Sequence, residues 1–350
     1  IDHASVSMVT NRTTTSTTFV DVTGATISSA SFTSGQKYLV YVTAQCGWTS
    51  SDGTEVRMTY GSTPTAFSGS ESWLETTSGT NRENYSYATV WTAGSSEGLQ
   101  FQFRSRTGGA NTASCNFVHI QTLRLSQLTE NVHWIFNEVT ADDAMSTTYE
   151  DGATITWTPA VASHDWLVIG CIRTDSGGQA TNLVRTRLND GTNTVPQDNI
   201  DIFNTALDEQ ARCLVRVYTL AASSQTIKVQ YSVSASTTGN HLNSTIVAID
   251  LHQFKDHSVA YTEAEAALSA SAYATEAQTV ALTPTVTSDV WILGYVTFDA
   301  KASGRVLSAR LQVGDSDAPA GQTSAAYTFM SSSDPGLETW QIQHLLTSQT

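Results

Sequence analysis

The chain has 350 residues, a formal net charge of −15 at pH 7 and only 14% charged residues, well under the roughly 25% of an average soluble domain. With no basic stripe, a nucleic-acid partner is excluded, and no apolar run approaches the roughly twenty residues of a membrane span. Ser, Thr, Asn and Gln cover the polar faces instead, a surface suited to extended β-structure and to a protein that sits among copies of itself.

The sequence repeats. His3, His133 and His257 recur at steps of 130 and 124; Phe19, Tyr149 and Tyr273 follow Ser/Thr/Ala-rich runs at the same steps. Tyr38, Trp166 and Trp291 open short apolar stretches at steps of 128 and 125. These stretches are Lys37-Tyr-Leu-Val-Tyr-Val-Thr43, Asp165-Trp-Leu-Val-Ile-Gly-Cys171 and Val290-Trp-Ile-Leu-Gly-Tyr-Val296. They are too short for helices and read as strands buried on both faces. The chain is therefore expected to be all-β: three tandem antiparallel β-sandwiches of jelly-roll type, spanning residues 1–128, 129–254 and 255–350. Tyr38, Trp166 and Trp291 are expected at equivalent positions in the three cores.

In the first unit the alternation of apolar and polar residues predicts strands over His3–Val9, Val56–Tyr60, Tyr85–Trp91, Leu99–Phe103 and Phe117–Leu125. The Gly/Ser/Thr-rich stretch 62–84 is expected to be an exposed loop. The second unit repeats the pattern at Trp134–Phe136, Ala153–Pro159, Val184–Leu188, Leu214–Tyr218, Ile227–Tyr231 and Thr245–Leu251. The joints, Leu128–Val132 and Phe254–Asp256, are short and predict a stiff rod. In the third unit, Glu263–Ala277 has the composition of a helix, but the repeat register places it opposite non-helical segments. Val280–Pro284, Leu307–Val313, Ala325–Phe329 and Trp340–Leu345 match strands of the other units. Nothing after them matches Phe117–Leu125 or Thr245–Leu251. One strand is missing, and the expectation is that the gene product continues beyond Thr350 or that a neighbouring chain inserts the strand.

Cys46 and Cys115 fall in the first unit, Cys171 and Cys213 in the second, at positions that do not correspond. A disulfide framework would recur with the fold that needs it, so buried thiols are expected. No nucleophile elbow, phosphate loop or zinc signature occurs, and no catalytic, cofactor-binding or metal-ligating residue is assigned. His252 and His257 straddle a joint and could meet, but ordinary surface histidines are the simpler reading. Asp198, Asp201, Asp208, Glu209, Asp315 and Asp317 lack the ligand spacing of a calcium loop. Asn11, Asn84 and Asn243 open glycosylation triplets that a chain this rich in Ser and Thr produces by chance. Trp73, in the loop 62–84, is the candidate for contact with a surface glycan or a neighbouring subunit; no aromatic in the other units aligns with it.

The Ser-Thr-Thr-[Phe/Tyr] run ending at Phe19 and Tyr149, the short strand after it, and Lys37-Tyr-Leu-Val or Asp165-Trp-Leu-Val resemble a pattern of tailed-phage virion proteins. In that family, jelly-roll domains decorate capsids or build head and tail fibres, commonly as trimers. The resemblance implies a non-enzymatic structural protein on the surface of a virion, assembled as a homotrimer and bound to other virion proteins such as the capsid shell, with no cofactor. The alternative is a secreted carbohydrate-binding or adhesin array on a bacterial surface.

Overall fold

The structure, a computed structural model, describes residues 1–48, 53–74, 82–109, 111–175, 183–192, 199–202, 209–233, 239–261, 280–299, 306–307, 310–313, 316–318, 328–329 and 337–349. Its first unit contains β1 (His3–Met8), β2 (Arg12–Thr14), β3 (Val20–Ile27), β4 (Lys37–Trp48), β5 (Thr54–Tyr60), β6 (Thr65–Ala66), β7 (Ser72–Leu74), β8 (Arg82–Thr92), β9 (Leu99–Ser105) and β10 (Ala113–Arg124). One sheet has the order β1-β10-β4-β8, with β2 beside β10; the other has β3-β9-β5-β6, with β7 beside β5. The first strand lies beside the last, and the chain alternates between the sheets. That connectivity is a jelly roll.

The second unit repeats it with β11 (Trp134–Val139), β12 (Asp143–Ala144), β13 (Glu150–Trp157), β14 (His164–Asp175), β15 (Leu183–Asn189), β16 (Asn199–Ile202), β17 (Glu209–Leu220), β18 (Gln225–Val233) and β19 (Asn240–Asp250). Its sheets run β11-β19-β14-β17, with β12 beside β19, and β13-β18-β15-β16. Strand alternation divides each central strand between two environments. From β4, Tyr38, Val40 and Val42 enter the first sandwich; from β14, Trp166, Val168 and Ile172 enter the second. Tyr38 and Trp166 are both buried.

The repeated Ser-Thr-Thr-aromatic run has a local cause. Ser16 Oγ donates to the Thr18 carbonyl at 2.7 Å, and Ser146 Oγ to the Thr148 carbonyl at 2.9 Å. This hydroxyl-closed turn delivers Phe19 and Tyr149 onto the outer face of the second sheet. There the Arg57 guanidinium lies 3.9 Å from the Phe19 ring centre, and Arg187 lies 3.5 Å from that of Tyr149. Each arginine donates to a glutamine directly across the ladder, Arg57 to Gln102 and Arg187 to Gln230, both at 2.9 Å. Each glutamine donates onward to an aspartate, Gln102 to Asp21 at 2.8 Å and Gln230 to Asp151 at 2.7 Å. The same four-residue ladder thus crosses three strands in both units and satisfies its own polar groups.

Cysteine pairing differs from expectation. Cys171 on β14 stands directly opposite Cys213 on β17, and the two form a disulfide. Cys46 on β4 stands opposite Cys115 on β10, with the sulfurs 3.2 Å apart as thiols. Each unit pairs its cysteines through a different neighbour of the central strand, which is why the positions do not correspond in sequence. The bond in the second unit closes a loop of 42 residues, so we predict that reducing it, or replacing both cysteines by Ala, lowers unfolding stability by roughly 2–4 kcal/mol. Equal urea midpoints with and without reductant would contradict this.

In the third unit β20 (Ser288–Asp299) pairs with β25 (Leu337–Gln349), as β4 pairs with β8 and β14 with β17. Between them lie the short pieces β21 (Val306–Leu307), β22 (Leu311–Val313), β23 (Ser316–Ala318) and β24 (Thr328–Phe329). Because β25 occupies the place of β8 and β17, counterparts of β9 and β10 are absent among the described residues, where the sequence reading has one strand missing; Val280–Pro284, expected as a strand, is not one either. Without a partner of the β10 type, Ser258–Tyr261 is unpaired, and β20 is half-buried from Val290 to Thr297 where β4 and β14 are almost wholly buried. The register of this copy also differs by one residue. Gly170 sits where a Cβ would lie 2.6 Å from Val229 and 2.7 Å from Leu188, inside the second sandwich. Gly294 takes the same face, so the step is 124, and Trp291 corresponds to Leu167 rather than to Trp166. A slip of one residue turns every side chain to the other face, and Trp291 therefore lies outside the third sandwich, half-buried. The stretch Glu263–Ala277 lies outside the described residues. No described helix is long and apolar enough to cross a membrane.

Candidate functional site

The outward faces of the central strands do not meet solvent. Leu39 and Tyr41 of β4, Leu167, Ile169 and Cys171 of β14, and Trp291 and Leu293 of β20 converge on one apolar cluster, joined by Ala88, Leu123, Trp134, Val247 and Ile249. Three sheets from three units thus share a core. The short joints do not set a rod: they let the units fold back side by side, because burying these faces removes far more apolar surface from water than end-to-end contact would.

Polar groups stitch the shared core. Tyr41 donates its hydroxyl to Gln341 Oε1, and Gln341 Nε2 donates to the Cys213 carbonyl. Asn84 Nδ2 donates to the Gln341 carbonyl at 3.2 Å. Gln343 Nε2 donates to the carbonyls of His119 at 3.1 Å and Tyr41 at 3.3 Å, while its Oε1 accepts from Trp291 Nε1 at 3.0 Å. Between the first two units, the Cys213 amide donates to Ser86 Oγ at 2.9 Å and Thr245 Oγ1 to the Ala88 carbonyl at 2.7 Å. Buried polar groups that satisfy one another in this way fix a single docking geometry.

Trp73 does not serve the role given to it from sequence. It is 8% exposed, because its segment is not a loop but β7, paired with β5, and the Arg106 guanidinium covers the ring at 3.1 Å from its centre. A buried, covered ring offers no face to a sugar. Asn84 and Asn243 are buried as well, so of the three glycosylation triplets only that of Asn11 is exposed. Asp201 lies on β16 and Asp317 on β23, Glu209 pairs with Arg173, and Asp198, Asp208 and Asp315 lie outside the described residues.

A second cluster sits at the joint between units two and three. His164, at the start of β14, pairs through Nδ1 with Asp250 Oδ2 at 3.0 Å. His252, in the 3₁₀ turn Leu251–Gln253 after β19, stacks on His164 with ring centres 4.0 Å apart. His257 lies edge-on to His252, with ring centres 4.9 Å apart, and reaches Asp165 Oδ2 at 3.4 Å. Burial alone would raise the pKa of Asp250, but hydrogen bonds from His164, Gln253 and the His252 amide hold it below the ordinary carboxylate value. The meeting of His252 and His257 was open from sequence; His164 and Asp250 were not, because they come together only through the pairing of β14 with β19.

No family model and no curated protein matches this chain. Among solved structures it is similar to the STIV MCP, with 10% identity, 71% of this chain and 95% of that chain covered, and a TM-score of 0.23. It is also similar to the triple jelly roll fold of an archaeal virus turret assembly, with 7% identity over 87% of this chain and 67% of that one, at a TM-score of 0.22. A family 35 carbohydrate binding module from Clostridium thermocellum matches at 15% identity over 33% of this chain and 90% of that one, at a TM-score of 0.20. The class rests on the strand order itself: an all-β chain of tandem jelly rolls.

Proposed function

We propose that the chain is a non-enzymatic structural component of a virion, carried on the particle surface as capsid decoration or fibre material, and that it assembles as a homotrimer and against other virion proteins such as the capsid shell. The observation that carries this reading is the shared core. A chain that spends the outer faces of its central sheets on holding its own units together forms a rigid block, and rigidity is what a particle-building protein requires. Its remaining surface is polar and sparsely charged, which repels like copies weakly. Self-association then falls to the third unit, which carries five of the eight exposed large apolar residues among those described, Val259, Tyr261, Val280, Leu282 and Val286, each at least 37% exposed.

Light scattering should give three times the protomer mass of 37.6 kDa, and Tyr261→Arg with Leu282→Asp should reduce it to one. A stable monomer at micromolar concentration overturns the trimer, and absence of the chain from purified particles overturns the virion role. A carbohydrate-binding array is the second reading; it requires Phe19 and Tyr149, half-buried at one position of both units, to shed the arginines Arg57 and Arg187 that lie over their rings. Glycan binding that disappears in Phe19→Ala and Tyr149→Ala would put that reading first.

A further inference from the structure

We propose that His164, Asp250 and His252, with His257 beside them, form a binding site for a divalent transition-metal ion of the zinc class at the joint between the second and third units. One ligand atom from each of the first three residues lies within 4.8 Å of those of the other two. In a tetrahedral zinc site, metal–nitrogen bonds of about 2.0–2.1 Å place neighbouring ligands roughly 3.4 Å apart, so closure by at most about 1.4 Å suffices. His252 is the most exposed member and can supply that movement by side-chain rotation. Two imidazoles and a carboxylate make a donor set that suits zinc, nickel or cobalt and not calcium, whose ligands are oxygens. His257, 4.9 Å from His252, is placed to approach the fourth position.

The comparison between repeats separates this site from the needs of the fold. The first unit builds the same corner at the end of β10, where the 3₁₀ turn Leu125–Gln127 follows Arg124. There the Lys37 amide donates to Ser126 Oγ at 2.6 Å; in the second unit the corresponding amide of Asp165 donates to His252 Nδ1 at 3.4 Å. His252 thus stands in the place of Ser126, Asp250 in that of Arg124, and His164 in that of Gln36. In the first unit the turn forms with no histidine and with Arg124, paired to Asp2 at 3.0 Å, where Asp250 stands, so the fold does not demand the histidines. Two imidazoles at a buried carboxylate, with a third against the second of them, occur at one of two equivalent corners, and a ligand accounts for the difference. A bound ion would join the start of β14, the end of β19 and the first residues of the third unit.

The test uses the full chain stripped with chelator and titrated calorimetrically with zinc chloride, alongside variants that carry the first unit's own residues, His252→Ser and His164→Gln. These keep the corner that the first unit folds with. Wild type should bind one zinc ion per chain and gain thermal stability from it. Either variant should lose at least tenfold in affinity, His133→Ala should bind as wild type does, and calcium chloride should give no heat. Absence of zinc binding by wild type, or binding unchanged in His252→Ser and His164→Gln, overturns the site. Should one variant fail to fold, the other, together with the shift of His252 and His257 imidazole resonances on adding zinc, decides the matter in the same way.

Discussion

Acidification from neutral pH to about pH 4 should remove several kcal/mol of stability, most of it before the carboxylates titrate. Burial lowers the pKa of His119 and of His241 from 6.5 to about 4. His119 faces the shared core, with His344 as its titratable neighbour lowering it further. His241 stacks on Tyr231 at 4.4 Å, where Asp143 opposes the shift without cancelling it. Both imidazoles stay neutral in the folded chain and protonate in the unfolded chain, so the unfolded state binds more protons between about pH 6.5 and about pH 4. Stability therefore falls as the pH falls through this window and levels off below it. Each shift corresponds to about 3 kcal/mol, and the two residues lie in different units, so their effects should add. Asp2, Asp151, Asp250 and Asp256 titrate below the ordinary 3.8 in the folded chain; their contribution is lost only at lower pH. Urea unfolding at a series of pH values measures the slope, and His119→Gln or His241→Gln should each flatten it. A stability that stays constant from pH 7 to about pH 4.5 would refute the burial argument.

The features written in local pattern were legible in the sequence, and those made by pairing were not. Alternation along Phe117–Leu125 and Thr245–Leu251 identifies strands because one face of each enters a sandwich, and the jelly-roll class follows from repeated alternation. Trp291 misled because an aromatic at the head of an apolar run looks like its counterparts, whereas facing is set by register; the glycines Gly170 and Gly294 held the true alignment. Trp73 looked like loop because Gly, Ser and Thr surround it, yet backbone pairing with β5 and the Arg106 cover bury it. The Cys171–Cys213 bond and the His164–Asp250 pair depend on which strands are neighbours, information that no spacing along the chain contains. The low charge pointed to lateral faces buried against copies of the chain, whereas the central sheets bury theirs against other units of the same chain.

Replacing Tyr41 by Ala should therefore do more damage than its place on one strand of one unit suggests. The side chain is fully buried, its ring meets Trp291 with centres 5.9 Å apart, and its hydroxyl holds Gln341. Truncating a buried aromatic to Ala costs about 3–5 kcal/mol through lost transfer energy and the cavity left behind. Gln341 Oε1 loses its donor as well, which adds about 1–3 kcal/mol. The consequence should be regional, because Tyr41 points away from the first sandwich, whose own core of Tyr38, Val40 and Val42 is untouched. The expected result is a chain whose third unit detaches: protease should cut first around the joint Phe254–Asp256, and amide protection should fall along β20 and β25 while β4 and β10 keep theirs. Tyr41→Phe should retain most of the packing and lose only the hydrogen bond, by about 1 kcal/mol. Uniform loss of protection across the first sandwich, with β20 and β25 no worse affected, would show that the three units do not depend on the common core.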